Sequence, residues 1–329
     1  MFPLRLHSTG VYLPKRSVSY QEIAEKTGVE ASWILEKSGV ATRYFVEDET
    51  IGSMGAYALT DALRRGQLSF QDLDLIICAS GSYDHPVPSN ACLIPRFMGQ
   101  PDLGIPCWDI DATCLSFITS LEVVGALIGA GRYKRIAVVA SEISSKSLNF
   151  KEKESSTLLG DGAAAAIFTH SAAQQTSAML AYRMETYSSG AYYTYVRGGG
   201  NVLHPRNPEA TPDDFTFHME GKEVLKMASS HIKPFFKRFF AELPYSLQDM
   251  DMVIPHQASK IGLSMAQKAM ELPSERFYNV LGLYGNCIAA SVPMALHHAI
   301  VENKVQRDQK ILLCGTGAGF SIGAALLNY

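Results

Sequence analysis

The chain repeats itself. Ser69-Phe-Gln-Asp-Leu-Asp-Leu-Ile-Ile77 reads almost as Ser246-Leu-Gln-Asp-Met-Asp-Met-Val-Ile254. In each copy a polar turn feeds a continuous apolar run, the mark of a strand covered on both faces. The next segments of the two copies correspond as well. Ile110 to Ile128 reads as a strand end, a turn and a long apolar helix. Tyr278 to Val301 reads the same way, with Pro293 early in the helix, where proline is tolerated. Arg135–Ala140 and Lys310–Cys314 are then expected as strands, and Ser321–Tyr329 as a final one. Strands alternating with apolar helices predict an α/β fold with mostly parallel sheets. Both central helices are apolar nearly all round, so both are expected to be buried. One such helix per half predicts an αβαβα sandwich of five layers with that pair in the middle.

The repeat divides the chain into a first half over 1–170 and a second over 215–329. Between them, 171–214 is rich in Gly, Pro and Tyr, as in Ser188-Ser-Gly-Ala-Tyr-Tyr-Thr-Tyr-Val-Arg-Gly-Gly-Gly200. It is expected to be connector and surface loops. Its glycines do not follow a strand and open a helix, which argues against a phosphate loop.

With 329 residues, 47% of them hydrophobic, the chain suits a globular enzyme with a large core. A net charge of -3 leaves no electrostatic footprint for nucleic acid or an anionic membrane. No apolar run approaches the roughly 18 residues that span a bilayer. The N-terminus lacks the layout of a signal peptide, and a cytoplasmic location is expected. The cysteines at 78, 92, 107, 114, 287 and 314 form no CxxC pair. That argues against a zinc site or a disulfide framework.

One of these cysteines stands apart. Cys114 lies at the start of the first central helix, in Asp109-Ile-Asp-Ala-Thr-Cys114-Leu-Ser-Phe117. His256 follows a buried strand in Pro255-His-Gln257, and Asn286 stands in Tyr284-Gly-Asn286. The repeat puts all three at strand ends on one side of the sheets, where α/β proteins place their sites. A cysteine attacks a thioester as thiolate, and helix N-terminal amides would lower its pKa. A histidine and an asparagine beyond it supply a proton or charge handler and a hydrogen-bond donor. Taken singly, each has a plainer reading: a small buried hydrophobe for Cys114, a structural histidine for His256. The tail Cys314-Gly-Thr-Gly-Ala-Gly-Phe320 has no helix after it. It reads better as a tight turn aiming a backbone N–H at the site than as a nucleotide loop.

These segments resemble the β-ketoacyl-[acyl-carrier-protein] synthase III family of thiolase-fold condensing enzymes. The likeness begins at Ser8-Thr-Gly-Val-Tyr-Leu-Pro14 and continues through Ser38-Gly-Val-Ala-Thr-Arg-Tyr44 and Pro88-Ser-Asn-Ala-Cys-Leu93. It goes on through the Cys114 segment, Leu159-Gly-Asp-Gly-Ala163, Met219-Glu-Gly-Lys-Glu-Val-Leu-Lys226, Pro255-His-Gln-Ala258, Tyr284-Gly-Asn286 and the turn at 315–319. The resemblance implies a thiolase-like sandwich of two similar halves. It implies that Cys114 accepts an acyl group from an acyl-CoA. His256 and Asn286 would bind the malonyl thioester of an acyl carrier protein and stabilise the enolate formed as CO2 leaves. The N–H groups of Cys114 and Ala318 would form the oxyanion hole. Trp33, Lys37 and Lys153 would meet coenzyme A, which is a substrate here and not a resident cofactor. Val87 falls at an acyl-pocket position near the interface of a homodimer, and Lys260 near the usual carrier-protein contact.

The sequence departs from the family at several of these places. Lys37 and Lys153 stand for arginines, and lysine lacks the planar fork. Ser259-Lys260-Ile261 replaces Asn-x-Arg, and Cys287-Ile288 replaces Thr-Ser. Such departures point to a paralogue in a dedicated pathway. Two other readings share the sequence: condensation or acyl transfer with a different second substrate, and a non-catalytic subunit that stabilises an active partner.

Overall fold

A computed structural model describes all 329 residues. The first half runs β1 (Leu4–Tyr12), β2 (Arg16–Ser19), α1 (Tyr20–Thr27), α2 (Ala31–Lys37), β3 (Thr42–Phe45), α3 (Ile51–Gly66), β4 (Leu75–Cys78), α4 (Asn90–Phe97), β5 (Cys107–Asp109), α5 (Ser116–Gly129), β6 (Arg135–Glu142), α6 (Lys153–Ser156) and β7 (Gly162–His170). The second runs β8 (Ala178–Thr186), β9 (Thr194–Tyr195), β10 (His218–Met219), α7 (Gly221–Phe239), β11 (Met252–Pro255), α8 (Lys260–Met270), α9 (Leu281–Tyr284), α10 (Ser291–Val301), β12 (Lys310–Gly317) and β13 (Ser321–Asn328).

The two main sheets have matching orders, β1-β7-β6-β4-β5 and β8-β13-β12-β11. A parallel bridge from Val253 to Phe277 stands where β5 stands in the first sheet. The repeated segments build one device twice. Ser69 donates its N–H and its hydroxyl to Asp72 Oδ2, both at 2.8 Å, and Ser246 does the same to Asp249 at 2.7 Å. Asp74 then accepts from the Arg135 N–H at 2.8 Å, and Asp251 from the Lys310 N–H at 2.8 Å. Each aspartate thereby fixes the edge at which two parallel strands enter the sheet.

Two expectations change. The sheets are mixed: β4–β5, β4–β6 and β11–β12 are parallel, while the longer ladders β1–β7, β6–β7, β12–β13 and β8–β13 are antiparallel. An apolar run marks burial on both faces but carries no record of its neighbour's direction. The second change lies in 171–214, which is not all connector. Ala178–Thr186 is β8, the edge of the second sheet, paired along β13. Its Tyr, Arg and Glu residues are only half-buried, which hid the strand in the pattern.

The layers follow from which faces are apolar. α5 and α10 lie between the sheets, where Leu121, Val124, Ala295 and Leu296 join Ile77 and Ile136 from one sheet and Ile254 and Leu313 from the other. α3 covers the outer face of the first sheet through Met54 and Leu59. α7 and α8 cover the second through Phe235, Phe239 and Leu263. Each leucine or isoleucine so enclosed contributes roughly 1.5–3 kcal/mol. No helix is long and apolar enough to cross a membrane.

Candidate active site

Cys114 stands in a 3₁₀ turn, Thr113–Leu115, just ahead of α5. Thr113 has a φ of 52°. A β-branched residue enters that left-handed region only under constraint. The constraint is visible. Thr113 N–H donates to Asp111 Oδ1 at 2.7 Å, Ala112 N–H donates to Ser116 Oγ at 2.9 Å, and Ser116 Oγ donates to the Thr113 carbonyl at 2.7 Å. The end of β12 presses on this turn, and two glycines allow it. A Cβ at Gly317 would lie 2.8 Å from Thr113 Oγ1, and one at Gly315 would lie 2.6 Å from the His256 Cβ. The chain then reverses at Gly319, φ 83°. The tight turn expected from the glycine run is therefore present, with β13 after it.

The electrostatics of Cys114 differ from the expectation. The residue as a whole is half-buried, but its thiol is enclosed, and burial pushes it up to about 12. Glu142 is the next cause, raising it further by its charge. The backbone N–H groups of Ala318 and Cys114 act the other way and favour the thiolate. Desolvation of an anion outweighs two amides, one just ahead of α5 and one in the turn after β12.

His256 follows β11, and its backbone N–H donates to the Cys314 carbonyl at 2.7 Å. Burial pushes its imidazole down to about 4, so the ring is neutral near pH 7. Nδ1 is buried and has no hydrogen-bond partner. An orphaned polar atom in a protein interior calls for an explanation, and a ligand is one. Gln257, missed in the sequence as a functional residue, braces this segment. Its Nε2 donates to the Pro255 carbonyl at 2.8 Å and its Oε1 accepts from Val280 N–H at 2.9 Å. Asn286 is held by its own backbone, which donates to the Leu158 carbonyl at 2.8 Å and accepts from Gly160 N–H at 3.0 Å. Its Oδ1 accepts from Ile288 N–H at 2.9 Å, and its Nδ2 donates to the Ala258 carbonyl at 3.4 Å.

A cavity of about 690 Å³ brings several of these residues together. His256, Asn286 and Gly315 form one part of its wall, Trp33 and Lys37 another, and α7 a third. Cys114 does not line it; the cysteine's neighbour Leu115 packs behind Gly315, 3.4 Å from where a Cβ there would be. Lys153 Nζ lies 5.0 Å from the centroid of the Trp33 ring, a cation–π contact at the cavity's Trp33 side. Lys37 donates to Glu36 at 2.6 Å. Lys260 is exposed, but its side chain lies against Gly39 and not in the cavity wall, where Ile261 stands instead. The first turn of α8 separates the two: Ile261 turns to the cavity, while Lys260 turns to Gly39. Val87, in the loop between β4 and α4, is 84% exposed and lines no part of the cavity.

Comparison with known proteins shows the family. Residues 108–188 match the family model described as 3-oxoacyl-[acyl-carrier-protein] synthase III, and 240–329 match the model of its C-terminal part. The first match holds Cys114; the second holds His256 and Asn286. The chain is 31% identical to the β-ketoacyl-[acyl-carrier-protein] synthase III of Methylococcus capsulatus, over 99% of this chain and 98% of that one. It is similar to the 3-oxoacyl-[acyl-carrier-protein] synthase III structure from Aquifex aeolicus, with a TM-score of 0.88 and 30% identity over 99% of this chain and 100% of that one. The 3-oxoacyl-(acyl carrier protein) synthase III structure from Pseudomonas aeruginosa superposes with a TM-score of 0.89 at 24% identity, covering 99% and 98%. The chain belongs to the 3-oxoacyl-[acyl-carrier-protein] synthase III family, the condensing acyltransferases of the thiolase fold.

Proposed function

We propose that an acyl-CoA acylates Cys114 and that a malonyl thioester, carried by acyl carrier protein or coenzyme A, then condenses with the acyl group. The observation that carries this reading is the cavity shared by His256 and Asn286 with Trp33 and Lys37. Its apolar wall and few convergent polar groups suit a pantetheine arm. In the first half-reaction the Cys114 sulfur attacks the donor carbonyl, gives up its proton and releases the coenzyme A thiol. The N–H groups of Cys114 and Ala318 hold the oxyanion, each such donor being worth roughly 3–4 kcal/mol. In the second, His256 and Asn286 hydrogen-bond the malonyl thioester carbonyl. CO2 leaves, the enolate carbon attacks the acyl-cysteine, and the thiolate departs with a β-ketoacyl thioester formed. A neutral His256 serves this step, because it can donate one hydrogen bond without carrying charge.

The remaining assignments belong to the same reading. Trp33, Lys153 and Lys37 meet the nucleotide end of coenzyme A, and Val87 closes the acyl site of the other subunit of a homodimer. Lys260 contributes charge at the carrier surface, and the protein works in the cytoplasm. Residues 1–170 form the half with the nucleophile and 215–329 the half with His256 and Asn286; the strand β8 in the intervening segment belongs structurally to the second.

Intact-protein mass spectrometry after incubation with a panel of acyl-CoAs tests the reading. One acyl mass should add to the wild type and none to Cys114→Ala, and malonyl-carrier protein should then discharge it. Acylation that persists in Cys114→Ala would remove that residue from the role.

A further inference from the structure

The second half carries a second copy of the nucleophile turn. Ile288 has a φ of 46°, as Thr113 has 52°. Ile288 N–H donates to Asn286 Oδ1 at 2.9 Å, as Thr113 N–H does to Asp111 Oδ1. Cys287 N–H donates to Ser291 Oγ at 2.9 Å, as Ala112 N–H does to Ser116 Oγ. By this register Ala289 stands where the first half has Cys114. The His256 N–H reaches the next strand's carbonyl at Cys314; its counterpart Ala79 reaches Val139 at the same 2.7 Å. The one cysteine of the second turn, Cys287, matches Ala112. The second copy thus has no histidine at the place of His256, where Ala79 stands, and no thiol at the place of Cys114, where Ala289 stands.

Something else fills that place. Glu142, at the end of β6, is fully buried. Its Oε1 accepts from Gly81 N–H at 2.6 Å, its Oε2 from the Ser82 hydroxyl, and the Ala289 N–H also acts on it. In the first half the N–H of Cys114 acts on the cysteine's own sulfur; in the second the equivalent N–H acts on this carboxyl. The two turns meet at Gly81, where a Cβ would lie 3.1 Å from Thr113 Cα and 3.2 Å from Ile288 Cγ2. The carboxyl therefore ties the second turn, through Ala289 N–H, to the Gly81 segment that packs against the first.

We propose that Glu142 is a positioning residue that holds the two turns together and governs the reactivity of the Cys114 thiol through its charge. Burial raises its own pKa to about 8, so it changes charge just above neutrality. The other ionisable groups that act in this cluster are Asp111, which faces both Glu142 and Cys114, and the buried thiols Cys78 and Cys287, on which Glu142 acts in turn. The sign is fixed by Coulomb's law. Below about pH 8 Glu142 is neutral and leaves the thiol alone; above it, the new negative charge opposes the thiolate.

The test is the rate of Cys114 alkylation by iodoacetamide from pH 6 to 10, read peptide by peptide, with the exposed Cys92 as internal reference. Glu142→Gln should shift the Cys114 profile to lower pH and raise its rate about tenfold at pH 9, the equivalent of one pKa unit. Cys92 should not change. A Cys114 profile that coincides with the wild type would overturn the proposal. A merely structural glutamate would alter both thiols or neither. Should Glu142→Gln fail to fold, Ser82→Ala decides: losing one donor makes the charged carboxyl less favourable, so the Cys114 profile should move the same way by a smaller step. An unmoved profile in folded Ser82→Ala would then reject the idea.

Discussion

His256 sits in surroundings far from those it has in the unfolded chain. Its pKa is about 4 when buried, against roughly 6.5 when unfolded. Above pH 6.5 both states are neutral and the difference contributes nothing. As the pH falls from 6.5 towards 4, the unfolded state takes up a proton that the native state refuses, so stability is lost. The loss reaches about 2 kcal/mol at pH 5. Urea unfolding at pH 7 and pH 5 should show a smaller difference for His256→Asn than for the wild type, and equal differences would refute the assignment. His297, held down to about 4 by burial, and the likewise lowered His298 act in the same direction, while Glu142, raised to about 8, opposes them; the pH dependence that survives in the variant is the sum of these. Cys114, His256 and Asn286 stood out in the sequence because each flanks an apolar run within a recognisable motif. Glu142 did not, although it ends an apolar run. Its partners, Gly81, Ser82 and Ala289, lie 60 residues before it and far after it, and nothing local announces that they converge.

At the scale of elements, the repeat was the most informative signal, since it located β4, β11, α5, α10, β6 and β12 from three matched pairs of stretches. Strand direction was not legible, because burial shapes the apolar pattern while the pairing partner does not. β8 was hidden for a related reason: an edge strand is half-solvated, and its mixed composition resembles a loop. The junction of β12 with the nucleophile turn yields a sharp prediction. Gly315→Ala would put a Cβ 2.6 Å from that of His256, closer than real contacts allow. One of the two segments must shift, costing roughly 1–3 kcal/mol as overpacked sites do. The melting temperature should fall, and condensation should slow more than Cys114 acylation does, because the displaced residue is His256. Equal slowing of both steps would show that the strain is relieved towards Leu115 instead.

Over the whole molecule, four of the exposed apolar residues, Tyr83, Val87, Phe97 and Leu103, fall within one stretch of chain around α4. Apolar side chains exposed together mark an interface. Sedimentation equilibrium should give a mass about twice the 36.0 kDa of the chain, and the paired change Val87→Asp with Phe97→Asp should bring it down to that of one chain. A wild type that sediments as a single chain would exclude the homodimer.

The two turns also record how such a protein came about. Halves that share a strand order, an aspartate clamp and the hydrogen bonds of a strained turn are what duplication and fusion of one half-length gene would leave behind. The ancestor would have been a pair of identical chains with two equivalent turns. Once joined, the copies were free to differ, and here one carries Cys114 and His256 where the other carries Ala289 and Ala79. A thiol placed at Ala289 would therefore make the two turns alike, in a slot now filled by a carboxyl.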